Sequence, residues 1–403
     1  MTPQEATELL IDGCEHVVSR EELQGRLERG GQLHVKFGID PTGSELHLGH
    51  AVVLHKMQQF VELGHRVTLL IGDYTARIGD PSGRADSRPP MSGEQIDANM
   101  KTYREQAGRV LDLERTDLMY NSTWLAPLTT VDWIRLLSKS TVAQILERED
   151  FKNRYTNRTP IALHELLYPV AQAYDSVAME ADVELGGDDQ LFNFLLARNY
   201  QADVKQTPQV CMTMPILEGT DGVRRMGKSL NNFISLIEPP EEQFGKLMRL
   251  PDDLVPRYAR LAAFWPASQV AELHADIVAE RLAPIEAKKR VAEAIVTKYH
   301  GAQAAHTARE RFEQTVQRRE LPSEMPTLQA GNDRKLPALI VKAGFAGSKR
   351  AAERLIAQGG VRIDGNAVSD PAVALDSKES FVLSVGARRF VRVVLSGSAP
   401  PSH

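Results

Sequence analysis

Cysteine is almost absent: Cys14 and Cys211 are the only two in 403 residues, and they lie far apart. That excludes a disulfide framework and a cysteine-built zinc site, and it suits a reducing cytoplasm. No apolar run reaches the roughly 18 residues that a membrane span needs. The opening MTPQEATELL is acidic, with no basic segment leading into an apolar stretch, so no secretory signal is expected. Low-complexity tracts and internal repeats are missing as well. What is there is 42% hydrophobic and 25% charged, the balance of a soluble globular protein. The length suits two or three domains of roughly 100–200 residues each.

The net charge of −5 is unevenly spread. From Arg334 to Leu395 there are 11 Lys and Arg against 5 Asp and Glu, so this stretch carries +6 and the rest of the chain −11. A small basic module on an acidic body points to a nucleic-acid contact, although an ordinary charged surface gives the same count.

The first 235 residues alternate between strand and helix patterns. Leu33 to Ile39 and Arg66 to Gly72 read as apolar strands, and His47 to Leu63 between them has helical spacing of Leu54, Met57 and Val61. Strand, helix and strand within about 40 residues make a βαβ unit and a mainly parallel sheet. Residues 122–180 are helix-rich. A further strand is expected at Val183–Gly186, a helix at Leu191–Asn199 and a strand at Val210–Met214. Pro239-Pro240 marks a boundary. The chain is then helical in character to about Gln317, including a helix opened by Pro284. Residues 321–334 read as a linker, and the basic module follows.

Four segments carry chemistry. Gly38 to His50 runs from a strand's end to a helix start, where open α/β sheets bind ligands and unpaired N–H groups favour phosphate. His47 and His50 can each donate a hydrogen bond to a phosphoryl oxygen, Thr42 offers a hydroxyl, and Gly49 leaves room for a flat base on the backbone. Two surface histidines on a helix would fit the bare pattern too. Arg225-Met226-Gly227-Lys228-Ser229 puts two cations on a glycine-containing loop, suited to clamping a leaving pyrophosphate. In Gly79-Asp80-Pro81-Ser82-Gly83, Asp80 sits in a turn at the same sheet edge, where a carboxylate could hold an ammonium group. Tyr168, Gln172 and Asp175 fall at i, i+4 and i+7, three polar side chains on one helix face among the apolar neighbours Leu166, Leu167 and Val170.

Together these segments resemble the bacterial tyrosyl-tRNA synthetases over nearly the whole chain. His47-Leu48-Gly49-His50 is similar to the HIGH signature of class I synthetases, and Arg225 to Ser229 to their KMSKS loop. Gly186-Gly187-Asp188-Asp189-Gln190 is similar to the GG(S/T)DQ segment of the tyrosine enzymes. Ser348 to Ile356 and Val361 to Gly365 resemble an S-four-like RNA-binding module. The resemblance implies an α/β fold: a Rossmann-like parallel-sheet nucleotide-binding catalytic domain at 1–235, with a helical dimer-forming insertion at about 120–180. An α-helical domain that binds the anticodon region (236–320), the linker (321–334) and a small α+β S-four-like RNA-binding domain (335–397) would follow.

The resemblance also implies roles. Asp175 would accept a hydrogen bond from the phenol of tyrosine, with Lys36 nearby. Tyr168, Gln172 and Asp80 would hold the ammonium group. Asp40 and Gln190 would line the aminoacyl side. ATP would meet Gly38, Asp40, Thr42, His47, Gly49, His50, Asp189 and Lys228. Thr42, His47, His50, Arg225 and Lys228 would form the catalytic set, with Arg84 and Arg88 as helpers from mobile loops. Lys349, Arg350, Arg354, Arg388, Arg389 and Arg392 would contact tRNA. Magnesium would accompany ATP, with no metal held by the protein alone. The partners would be L-tyrosine, ATP, tRNA(Tyr) and a second copy of the chain, with no membrane and no DNA. Four positions depart from the family pattern. Arg225 and Gly227 replace a lysine and a serine. Asp188 replaces a small hydroxyl residue, which puts an extra negative charge near the pocket. Lys36 stands where other branches have a tyrosine that contacts the phenol. Tryptophanyl-tRNA synthetases share both ATP motifs, but Asp175 and the basic module point away from them. A different nucleotidyltransferase would not need the tRNA-sized extra domains, and an idle RNA-binding protein would not need His47, His50, Lys228, Asp80 and Asp175.

Overall fold

The computed structural model describes residues 1–81, 91–314, 325–331, 334–373, 375, 379–386 and 389–395. Arg84, Arg88 and Arg388 lie outside the described residues. The chain forms two compact units, residues 1–302 and 303–403.

The first unit is built on a six-stranded sheet: β1 (His16–Val18), β2 (His34–Ile39), β3 (Arg66–Ile71), β4 (Thr116–Tyr120), β5 (Val183–Gly187) and β6 (Val210–Met214), in the order β1-β6-β5-β2-β3-β4. All neighbours are parallel except β1, which runs antiparallel to β6. The inner strands are buried on both faces and so read as near-continuous apolar runs, such as Val67 to Ile71 in β3. Because β2 to β6 run the same way, their carboxyl ends share one edge, and β2 lies at the centre, where the strand order reverses. That is the place an open α/β sheet offers a ligand.

The helix Leu48–Glu62 starts at that edge and covers the sheet with Leu48, Ala51, Val52, Leu54, Met57 and Phe60. Helices Tyr168–Ala178 and Leu191–Asp203 pack on each other through Val170, Ala173, Leu196, Ala197 and Tyr200, and Phe151 closes that core. Pro240 stands in the first turn of the helix Pro240–Leu247, where its missing N–H leaves no bond unmade. Helices Val255–Leu261, Ala267–Val278 and Pro284–His300 follow. This helical stretch belongs to the same unit as the sheet: Arg109 donates to the carbonyls of Leu236 (3.2 Å) and Tyr299 (3.1 Å), and the Tyr258 hydroxyl to that of Glu218 (2.6 Å).

The second unit has a five-stranded sheet in the order β7-β11-β10-β8-β9, from β7 (Thr327–Gln329), β8 (Val361–Ile363), β9 (Asn366–Ala367), β10 (Ser380–Val385) and β11 (Arg389–Val394). Helices Leu336–Lys342 and Lys349–Ala357 pack on one face of it, with Leu339, Ala352 and Ile356 against Val361, Leu383 and Val393. It is the small α+β module that the resemblance implied for the basic C-terminal stretch.

Candidate active site

A cavity of about 530 Å³ opens at the carboxyl edge of the first sheet. Every expected tyrosine-, ATP- and loop-binding residue that falls within the described part of the first unit lines it.

At one end lies Asp175, only 3% exposed. Its carboxylate accepts hydrogen bonds from Trp124 Nε1 (2.7 Å) and Asn121 Nδ2 (3.2 Å). Burial pushes this carboxyl up to about 6, and the charge of Lys36 is the main influence pulling it back. The i, i+4, i+7 face of the helix points into the cavity as the spacing predicts, since Tyr168 and Gln172 line it with Asp175. Gln172 accepts from Asn193 Nδ2 (2.7 Å) and donates to Glu184 (3.3 Å). The Tyr168 hydroxyl, its pKa raised by burial, is hydrogen-bonded to Asp40. Asp40 also accepts from the Thr75 hydroxyl (2.7 Å). A Cβ on Gly72 would fall 2.0 Å from the Asp40 carboxylate, so a glycine is needed at the end of β3. Asp80 is held between Arg148 (3.0 Å) and Gln190 (3.1 Å), and Arg148 binds Asp150 as well (2.9 Å).

At the other end are the two histidines. His47 caps the helix Leu48–Glu62 with an extended backbone, and its own N–H donates to His50 Nδ1 (3.2 Å). Nδ1 of His50 is therefore an acceptor, which leaves the ring proton on Nε2. The ring centroids are 3.8 Å apart, and a Cβ on Gly49 would come within 3.1 Å of the His47 ring. Burial lowers both histidines, His50 to about 3 and His47 well below its usual value, so both are neutral imidazoles at neutral pH.

Facing them is the loop after β6. Glu218 and Arg225 form a bridge across it, and Asn232 accepts from the Gly227 N–H (2.9 Å) while donating to the Arg225 carbonyl (3.1 Å). Lys228 Nζ lies 3.5 Å from the Tyr103 hydroxyl, and 2.8 Å from where a Cβ on Gly43 would stand. Arg225 pairs with Asp189 (2.7 Å), whose carboxyl burial pushes up. Asp188 turns out of the cavity: it bonds His16 Nδ1 (2.7 Å) and the Thr213 hydroxyl (2.8 Å) and is not a lining residue. The expected extra charge at the pocket is therefore spent on the antiparallel edge strand. Among the described residues, no group of three His, Cys, Asp or Glu is placed to hold a metal.

In the second unit, Lys349, Arg350 and Arg354 are exposed on the helix Lys349–Ala357. Arg389 joins that side, donating to the Phe345 carbonyl (2.7 Å) with its guanidinium over the Phe345 ring. Arg392 does not. It alternates with the buried Val391 and Val393, so it projects from the sheet face opposite the helices, as Arg362 does.

Sequence reasoning missed Trp124, Asn121, Arg148 and Glu184 as parts of the site. The one signal Trp124 offers is its indole N–H, which needs a partner when buried. Asn121 follows β4 directly, the one positional signal it offers.

Residues 28–317 match the family described as tRNA synthetases class I (W and Y), and residues 334–380 match the S4 domain. The tyrosine–tRNA ligase of Thermotoga maritima is 47% identical over 98% of both chains. That of Aromatoleum aromaticum is 46% identical over 98% of this chain and 99% of its own. Among solved structures, the tyrosyl-tRNA synthetase of Archaeoglobus fulgidus complexed with L-tyrosine superposes with a TM-score of 0.63 at 23% identity, over 77% of this chain and 100% of its own. That of Aeropyrum pernix gives 0.62 at 23% identity, over 77% and 99%.

Proposed function

The chain belongs to the class I tRNA synthetases, in their tyrosine–tRNA ligase branch, and from that premise we propose how its residues divide the work. It activates L-tyrosine with ATP to tyrosyl-adenylate and pyrophosphate, then transfers tyrosine to the 3′-terminal adenosine of tRNA(Tyr). The observation that carries the assignment of roles is one cavity with a buried carboxylate, Asp175, at one end and two neutral histidines under a cationic loop at the other.

The tyrosine phenol donates to Asp175. Phenylalanine would leave that carboxylate desolvated without its partner, which is how the pocket refuses it. Asp80, Tyr168 and Gln172 take the ammonium group, with Arg148 fixing Asp80, and Asp40 and Gln190 line the aminoacyl side. The substrate carboxylate, already ionised, attacks the α-phosphorus of ATP in line, so no side chain need act as base. The chain's task is to position the reactants and stabilise charge. Nε2–H of His50, the His47 ring and Thr42 donate to phosphate oxygens at the helix start, while Lys228 and Arg225 meet the charge on the leaving pyrophosphate. Asp189 serves the ribose or α-phosphate region. Magnesium arrives with the nucleotide as part of that substrate. In the second step a ribose hydroxyl of the terminal adenosine, the 2′ in this class, attacks the adenylate carbonyl.

The S4 domain binds RNA, through Lys349, Arg350, Arg354 and Arg389 on its helical side and Arg392 on the other face. The helices at 236–320 meet the anticodon region, and the catalytic work stays within 1–235. Dimerisation uses the 120–180 region. That reading is supported by Val131, Ile134 (60% exposed) and Val142 (62% exposed), large apolar side chains left at the surface there. We place the protein in the cytoplasm; no helix among the described residues is long and apolar enough to cross a membrane.

Asp175→Ala in tyrosine-dependent pyrophosphate exchange tests the core of this reading. Tyrosine use should collapse while the KM for ATP holds. Equal loss of both would remove Asp175 from the phenol site.

A further inference from the structure

Lys36 on β2 and Glu184 on β5 are register partners across adjacent parallel strands. Their side chains are 1% and 2% exposed, and Nζ lies 3.0 Å from Oε1. Their chain neighbours Val35, Phe37, Val183 and Leu185 are buried and apolar and point to the opposite face of the sheet. A buried ion pair adds little to stability over apolar side chains of the same volume. Both residues, however, line the amino-acid end of the cavity.

Glu184 is shared among several partners. It accepts from Lys36 and from Gln172 Nε2 (3.3 Å) on one oxygen, and from the Ser176 hydroxyl (3.1 Å) and Gln209 Nε2 on the other. One carboxylate oxygen of Glu184 thus joins Lys36 of β2 to Gln172 of the helix that carries Asp175. The charged groups that bear on Asp175 are Lys36 from β2 and Glu184 from β5; its direct partners Trp124 and Asn121 are neutral.

We propose that Lys36 and Glu184 are a positioning pair for tyrosine selection: Glu184, bonded to Lys36 and to Gln172 and Ser176 of the helix that carries Asp175, fixes the Lys36 ammonium on the cavity wall that Asp175 shares, where it supports that carboxylate as the acceptor of the phenol. The proposal rests on the reading of Asp175 as the phenol partner. Without the cation, burial leaves Asp175 protonated to higher pH. A neutral acid is cheaper to leave unpaired than a carboxylate, so phenylalanine is rejected less well.

The test is the full-length double variant Lys36→Gln/Glu184→Gln, whose two amides keep the buried polar atoms hydrogen-bonded. Its melting temperature is measured first. Pyrophosphate exchange with tyrosine and with phenylalanine is then followed against pH. The tyrosine-over-phenylalanine ratio of kcat/KM should fall by roughly tenfold or more. The acidic limb for tyrosine should move to higher pH, because losing Lys36, the larger of the two influences on Asp175, outweighs losing Glu184, with the KM for ATP unchanged. A parent-like ratio and limb overturn the proposal. Lys36→Arg, which retains the charge, is carried alongside and should keep the parent's limb; a limb that moves there overturns it as well. Asp175→Asn separates the two readings. If it loses selectivity while the neutral pair keeps it, the pair alone fails. If Asp175→Asn leaves tyrosine use untouched, the phenol site itself is misassigned and the pair falls with it.

Discussion

Arg225 Nη1 lies 2.7 Å from Asp189 Oδ2, so the cationic loop after β6 is tied to the turn that ends β5. The guanidinium takes the place of a lysine in the family's loop and reaches a carboxylate on the proposed nucleotide side of the cavity. Arg225→Ala removes one cation from the proposed pyrophosphate clamp and leaves Asp189 without it. Pyrophosphate exchange should slow by about a hundredfold, as for loss of one preorganised charge-stabilising donor. Arg225→Lys keeps the charge and should retain most of the rate. Steady-state exchange kinetics of both variants check this, and near-parental rates in Arg225→Ala would take the residue out of the clamp.

The pH dependence separates the two ends of the cavity. Burial raises Asp175 to about 6, so as pH falls through that value the free protein's carboxylate takes up a proton and loses its charge. The kcat/KM for tyrosine should decline there. His47 and His50 are lowered, so they are already neutral above that range and do not titrate with it. The KM for ATP should stay flat between about pH 8 and pH 6. An ATP KM that changes near the ordinary histidine range, while tyrosine use does not, would contradict both assignments.

Removing residues 335–403 should leave adenylate formation intact and cripple tRNA charging, since the cavity is built wholly within residues 1–302. Phosphate contacts make such binding salt-sensitive, so charging by the full chain should weaken with salt while exchange does not. Undiminished charging by the shortened chain would refute an RNA role for the second unit.

Ile134→Glu together with Val142→Glu places two charges in the exposed apolar surface of the 120–180 region. Sedimentation should show the parent as a dimer and the variant as a monomer. A parent that sediments as a monomer, or a variant that stays dimeric, would move the interface elsewhere.

What could be read in the sequence was what is local in the chain. The strand-to-helix passage from Gly38 to His50 and the i, i+4, i+7 face of Tyr168, Gln172 and Asp175 are short-range patterns, and the structure gives them the expected form. β1 and β4 escaped because they are short and half-exposed and carry no alternation or apolar run. The partners that tune the site escaped for a different reason. Glu184 meets Lys36 only because β5 lies next to β2, with β3 and β4 between them in the chain. Arg148 reaches Asp80 from a turn 68 residues further along. A basic cluster also looks uniform in sequence, yet strand alternation sends Arg389 and Arg392 to opposite faces of their sheet.

The central claim is that this cavity activates tyrosine and chooses it through Asp175. The direct measurement is exchange of labelled pyrophosphate into ATP without tRNA, run with tyrosine, tryptophan and phenylalanine in parallel. Exchange with tyrosine alone is the predicted result. Exchange with tryptophan, equal exchange with phenylalanine, or no exchange with any of the three would contradict it.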